Sequence, residues 1–118
     1  MKSLITVAIT FLFLNLAYSQ HIVPDSVRYH EGQTITVCGK IVDTFVTKSE
    51  KKITHLNFEY GYPNQTFSVT IFGSDLPKFS YVPAEFLKGK NVCVTGKVRM
   101  YNGRPEIVVN AEDQLKVE

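Results

Sequence analysis

The sequence predicts an all-β domain, a five-stranded Greek-key barrel with a short helix between the third and fourth strands. Three observations point there. Apolar and polar residues alternate in several short runs, the period of a strand with one buried face. Turn residues separate those runs at close, even intervals, as in small barrels. Only one stretch, Ser74 to Gly89, has helical character, and it is short.

The clearest pattern is NVCVTGKVRMYNGRPEIVV, residues 91 to 109, which reads as a β-hairpin. Val92, Val94, Gly96 and Val98 alternate with Cys93, Thr95, Lys97 and Arg99. Asn102-Gly103 suits a tight turn that needs positive φ. Pro105 opens the returning strand, where a missing N–H is tolerated. Arg99, Tyr101 and Arg104 make the tip basic and aromatic, so a partner is first sought there. The plainer reading is that Tyr101 packs over the turn and Arg99 lies on a solvated face.

The chain has 118 residues, and residues 1–19 read as a signal peptide. Lys2 supplies a positive start, Leu4 to Leu16 is mostly apolar, and Ala17-Tyr18-Ser19 offers a cleavage site before Gln20. The apolar run is too short to span a bilayer, so no membrane span is expected after cleavage, and the predicted location is secreted or periplasmic. No lipobox cysteine follows, which argues against a lipid anchor. Gln20 to Glu118 suffices for one small domain: residues 20–32 as an N-terminal arm along the surface, and 33–118 as the barrel. Without Lys2 the net charge is about +1, too small to announce a nucleic-acid binder by itself.

Within the domain, Gln33 to Val46 predicts a long first strand with Ile35, Val37, Gly39 and Ile41 on one face. Gly39 marks a bend where the strand passes from one sheet to the next, after which Asp43 to Phe45 could change phase. Val46 to Ile53 is a polar loop carrying Lys48, Lys51 and Lys52. Thr54 to Tyr60 is a strand with Leu56 and Phe58 facing opposite to His55, Asn57 and Glu59. Gly61 to Gln65 is a turn. Thr66 to Gly73 is a third strand, with Phe67, Val69 and Ile71 inward and Phe72 anomalous on the polar phase. Pro83 and Gly89 bracket one or two helical turns. After the hairpin, Leu115 and Val117 alternate in a tail that can pair briefly.

Five strands with a helix between the third and fourth is the order of the OB-fold. A two-sheet sandwich usually needs more strands. In an OB barrel the first and fourth strands are neighbours, so Cys38 and Cys93 project from the same side of adjacent strands, off the core. That placement permits a disulfide, and export favours one. Two separate half-buried thiols are the alternative.

The blocks TVCGKIVDTF, LNFEYGYPNQTFSVTIFGSD and KGKNVCVTGKVRMYNGRPEIVV resemble exported single-domain OB-fold proteins of bacteria. The last block also resembles, more loosely, the hairpin of nucleic-acid-binding OB domains of the anticodon-binding type. What this implies is a binding face along the second and third strands, flanked by the first loop and the hairpin tip. The residues it implies are His55, Asn57, Thr70 and Phe72 on the strands, Lys48, Lys51 and Lys52 in the loop, and Arg99, Tyr101 and Arg104 at the tip. Tyr60, Tyr62, Phe72 and Tyr101 are the aromatic platforms on offer. Single-stranded nucleic acid is the partner implied first, held mainly through phosphate charge. An envelope protein, a glycan or a small molecule is the alternative.

No catalytic constellation is legible. The three histidines lie apart, and no histidine has a reason to approach Ser74-Asp75. No glycine-rich phosphate loop and no metal-ligand cluster appears, so neither cofactor nor metal is expected.

Overall fold

The computed structural model describes residues 21–118; the segment read as a signal peptide lies outside the described residues. Seven strands form one sheet: β1 His21–Ile22, β2 Thr34–Val46, β3 Thr54–Phe58, β4 Phe67–Ile71, β5 Asn91–Tyr101, β6 Arg104–Val108 and β7 Leu115–Val117. Pairing runs β2–β3–β4–β6–β5 and returns to β2 through a β2–β5 ladder, so five of the strands pair in a ring. The five-strand expectation is thereby corrected to seven. The extra two are short flanking strands, β1 parallel on β2 and β7 antiparallel on β5.

The segment read as a surface arm is tied in more firmly than its polarity suggests. His21 and Ile22 pair with Thr36 and Val37. A 3₁₀ turn over Pro24–Tyr29 then carries Val27 fully into the core. Elsewhere alternation predicts burial well: Ile35, Val37, Val92, Val94 and Val98 point inward, as do Leu56, Phe58, Phe67, Val69 and Ile71. The Phe58 and Phe67 rings stack at 4.2 Å between β3 and β4. Asn102 and Gly103 both take positive φ, as the tight hairpin turn requires.

The bend in β2 decides which face later residues occupy. Residues Thr34 to Lys40 pair with β5, and from Ile41 onward the strand pairs with β3. The register slips between Ile41 and Asp43, which places a bulge at Val42, just beyond Gly39. An added Cβ on Gly39 would lie 2.6 Å from the Glu59 carboxylate. That carboxylate accepts the Lys40 N–H at 3.1 Å, so the bare glycine face houses the acid that caps the backbone at the crossing.

Helix α1, Pro83–Phe86, is shorter than the expected one or two turns to Lys88, and a 3₁₀ turn over Gly73–Lys78 precedes it. Gly89 ends this segment at φ +84°. Its N–H donates to Ile41 O at 2.7 Å, and the Ile41 N–H donates to Lys90 O at 3.0 Å. These bonds fasten the helical segment to the bulge in β2, with Leu87 buried beneath.

Cys38 and Cys93 stand directly opposite in the β2–β5 ladder and are joined by a disulfide. The hydroxyls of Thr36 and Thr95 meet beside it on the same outer face at 2.8 Å.

Candidate functional site

The bulge at Val42 turns Asp43 and Phe45 onto the outer face of the β2–β3–β4–β6 ladder. Without the extra residue both would share the core phase of Ile41. Asp43 pairs with Asn57 and Phe45 with His55, so four side chains from two strands line one surface. Ser68 and Glu106, paired across β4 and β6, continue it. The result is a groove of about 730 Å³ whose lining also includes Tyr62, Gln65, Tyr101, Asn102 and Arg104.

Aromatic rings form its walls. Tyr62 on the β3–β4 turn, Tyr101 at the hairpin tip and Phe45 at the far end are 68%, 59% and 55% exposed. The Arg104 guanidinium lies 5.1 Å from the centre of the Tyr62 ring, which draws the hairpin tip to the β3–β4 turn. Phe45 stacks on His55 at 6.4 Å with a 16° interplanar angle.

Carboxylates organise the floor. Asp43 accepts the Asn57 amide at 2.6 Å and the Tyr62 backbone N–H at 3.1 Å. Glu106, 5% exposed, accepts the Thr70 hydroxyl at 2.6 Å and pairs with the Arg99 guanidinium. The Thr70 oxygen is also 3.4 Å from His55 Nδ1. Burial pushes His55 below the ordinary imidazole pKa, and the Glu106 charge opposes that shift only in part.

The predicted residues divide among these places. His55, Asn57, Tyr101 and Arg104 line the groove. Thr70 is buried under it and acts through Glu106 and His55. Arg99 is engaged with Glu106, with its guanidinium 5.8 Å from the Tyr101 ring. Phe72 is not brought to the groove, because β4 ends at Ile71 and the chain then turns into the 3₁₀ segment. It lines a second depression of about 590 Å³ with Lys51, Lys52, Gly73 and Leu76. Lys48 is exposed in the same loop. The basic residues therefore do not converge on one groove. Sequence reasoning missed Asp43, Phe45, Gln65, Ser68, Asn102 and Glu106 as lining residues. The signal that could have found the first two was a charged residue standing in the core phase directly after a glycine bend.

No helix among the described residues is long and apolar enough to cross a membrane. Neither a known protein family's profile nor a curated protein sequence matches the chain. Solved structures similar to it include the following two. A protein of Leishmania major Friedlin described as an aspartyl-tRNA synthetase aligns at 12% identity and TM-score 0.55 over 89% of this chain and 22% of its own. Yeast Stn1 and Ten1 align at 13% identity and TM-score 0.59, over 87% of this chain and 64% of theirs. The chain thus spans about a fifth of the length of the first and under two thirds of the second. At such identities the likeness is one of fold: mostly β and OB-like.

Proposed function

We propose that this chain is an exported, secreted or periplasmic OB-type barrel that binds single-stranded nucleic acid without catalysing a reaction. The observation that carries this reading is the groove itself: three exposed aromatic rings around a polar floor, with Arg104 over one of them. Bases have π-faces that stack on such rings whatever their sequence, each stack contributing roughly 1–3 kcal/mol. A similar fold occurs in a protein whose name places tRNA among its substrates, which supports the reading by analogy. Because the lysines lie off the groove, stacking carries more of the proposed affinity than phosphate charge does.

The test is anisotropy of labelled single-stranded DNA, single-stranded RNA and duplex with the oxidised protein at two salt concentrations. Binding to single strands is expected to drop about five-fold or more in each of Tyr62→Ala and Tyr101→Ala. Both rings are exposed, so thermal unfolding should shift only by the small loss of a surface cation–π contact, about 0.5–1 kcal/mol. Absence of binding at low salt would sink the proposal. A second reading, an uncharged oligosaccharide, is favoured by Asp43 and Glu106, which repel phosphate yet suit sugar hydroxyls. Retention on a glycan array with no nucleic-acid binding would establish it. Export is tested separately, by the mass of the mature N-terminus, expected to begin at Gln20.

A further inference from the structure

We infer that the floor of the groove is an array of hydrogen-bond acceptors that selects bases carrying an exocyclic amino group over thymine and uracil. This rests on the nucleic-acid reading above and adds the chemical class of base.

Glu106, ion-paired with Arg99, can only accept, so the single Thr70 hydroxyl proton goes to it at 2.6 Å. The same Thr70 oxygen then meets His55 Nδ1 as an acceptor, which places the imidazole proton on Nδ1. A neutral imidazole in that tautomer has a bare Nε2, an acceptor. Burial lowers the ring's pKa and so favours this neutral form. Each Asp43 oxygen already accepts one bond and retains a second lone pair. One proton of the Asn57 amide is committed to Asp43, which leaves that side chain one donor and its carbonyl acceptor. Gln65, another lining residue, holds its Oε1 buried and out of an occupant's reach, so it adds no acceptor to the count. The Ser68 hydroxyl can serve either role. Unspent capacity at Asp43, His55 and Asn57 is therefore mostly acceptor, and that part of the floor suits an occupant that brings N–H donors.

Cytosine, adenine and guanine carry an exocyclic NH₂. Thymine and uracil present one N–H flanked by two carbonyl oxygens, which would face the Asp43 carboxylate and the His55 lone pair. A carboxylate accepting from the cytosine N4 amino group is an established pairing in base recognition. Cytosine and thymine are also close in size, so their comparison isolates the edge from the stack.

The experiment measures anisotropy of labelled dC12, dT12 and a 12-mer of N4,N4-dimethylcytosine with the full chain at pH 7.5 and fixed salt. The dissociation constant for dC12 is expected to be lower than that for dT12 by about five-fold or more. The dimethylated oligomer, which keeps the ring and loses the donors, should behave like dT12, and this arm does not depend on any variant folding. Asp43→Asn should narrow the dC12 to dT12 ratio. Equal or tighter binding of dT12 overturns base selection and leaves the nucleic-acid reading standing. Binding of the dimethylated oligomer as tight as dC12 also overturns it. Failure of all three oligomers to bind overturns the nucleic-acid reading as well.

Discussion

Glu106 ties the groove to the hairpin: it is a buried acid whose two oxygens hold Thr70 on β4 and Arg99 on β5. Removing it strands a buried hydroxyl and an arginine whose side chain is 48% exposed, so solvent compensates the second loss but not the first. Glu106→Ala is expected to lower unfolding stability by about 1–3 kcal/mol in urea titrations. Glu106→Gln, which keeps the shape and an acceptor, should lose less; equal losses would mean that the charge carries the whole contribution. His55 gives a second prediction. Its folded pKa is depressed by burial, so the unfolded chain binds the proton more readily. Its contribution to stability is therefore complete above the ordinary imidazole value of 6.5 and is lost as pH falls below that value through the folded pKa. Asp43, Glu106 and Arg104 share the groove with it, and Arg99 backs Glu106. The difference in stability between wild type and His55→Gln isolates the histidine from the acids. That difference should move toward the variant as pH drops from 7 to 5, and a flat difference would refute the assignment.

At the scale of elements, the disulfide and the groove belong to different parts of β2. Cys38 lies in the half that pairs with β5, and Asp43 and Phe45 lie in the half that pairs with β3. Cys38→Ser with Cys93→Ser should cost up to about 4 kcal/mol by the chain-entropy relation for a 55-residue separation, read as a lower denaturation midpoint. Ligand affinity at temperatures where the variant remains folded should not change, and a loss of affinity would show the bridge to be coupled to the groove. Gly73 offers a backbone test, since a Cβ there would collide with Lys51 O in the lysine loop. Gly73→Ala should cost about 1–3 kcal/mol, with the shift confined to that loop by amide exchange. These elements also show what the sequence made legible. Period-2 alternation revealed β2 to β6 and Asn-Gly the positive-φ turn, because each is a local pattern with a direct geometric meaning, while the facing cysteines followed from strand phase once the barrel's strand order was assumed. Two-residue β1 has no period to detect. The bulge at Val42 gave the change of phase that the Gly39 bend allowed, but which surface Asp43 and Phe45 then line depends on their partners in β3, and that was not legible. Glu106 was hidden for another reason: a lone acid in a returning strand reads as solvated until its partners on β4 and β5 are known.

At the scale of the whole molecule, the distribution of cations is more informative than their sum, a formal +2. The registers place the hairpin tip beside the β3–β4 turn, and the lysine loop at the opposite end of β2 and β3. Between them runs β3, five residues and so about 16 Å. Within the described residues Arg99 is paired with Glu106, which leaves Arg104 as the tip's contribution to phosphate binding. A trinucleotide seated among Tyr62, Tyr101 and Phe45 would neutralise about one phosphate charge. A strand long enough to leave the groove past Phe45 would meet Lys48, Lys51 and Lys52 as well. Each single-strand phosphate neutralised contributes a slope of about −0.7 to log K against log salt. The expected slope is therefore about −0.7 for the trinucleotide and as steep as about −2.8 for a 12-mer. Replacing the three lysines with alanine should flatten the 12-mer slope toward the trinucleotide value while leaving trinucleotide affinity unchanged. If the slope does not depend on length, the strand does not run from tip to loop, and the two depressions are separate features of the surface. If the trinucleotide already shows the steep slope, the lysine loop folds over the groove on binding, and phosphate charge supplies more of the affinity than the rings do.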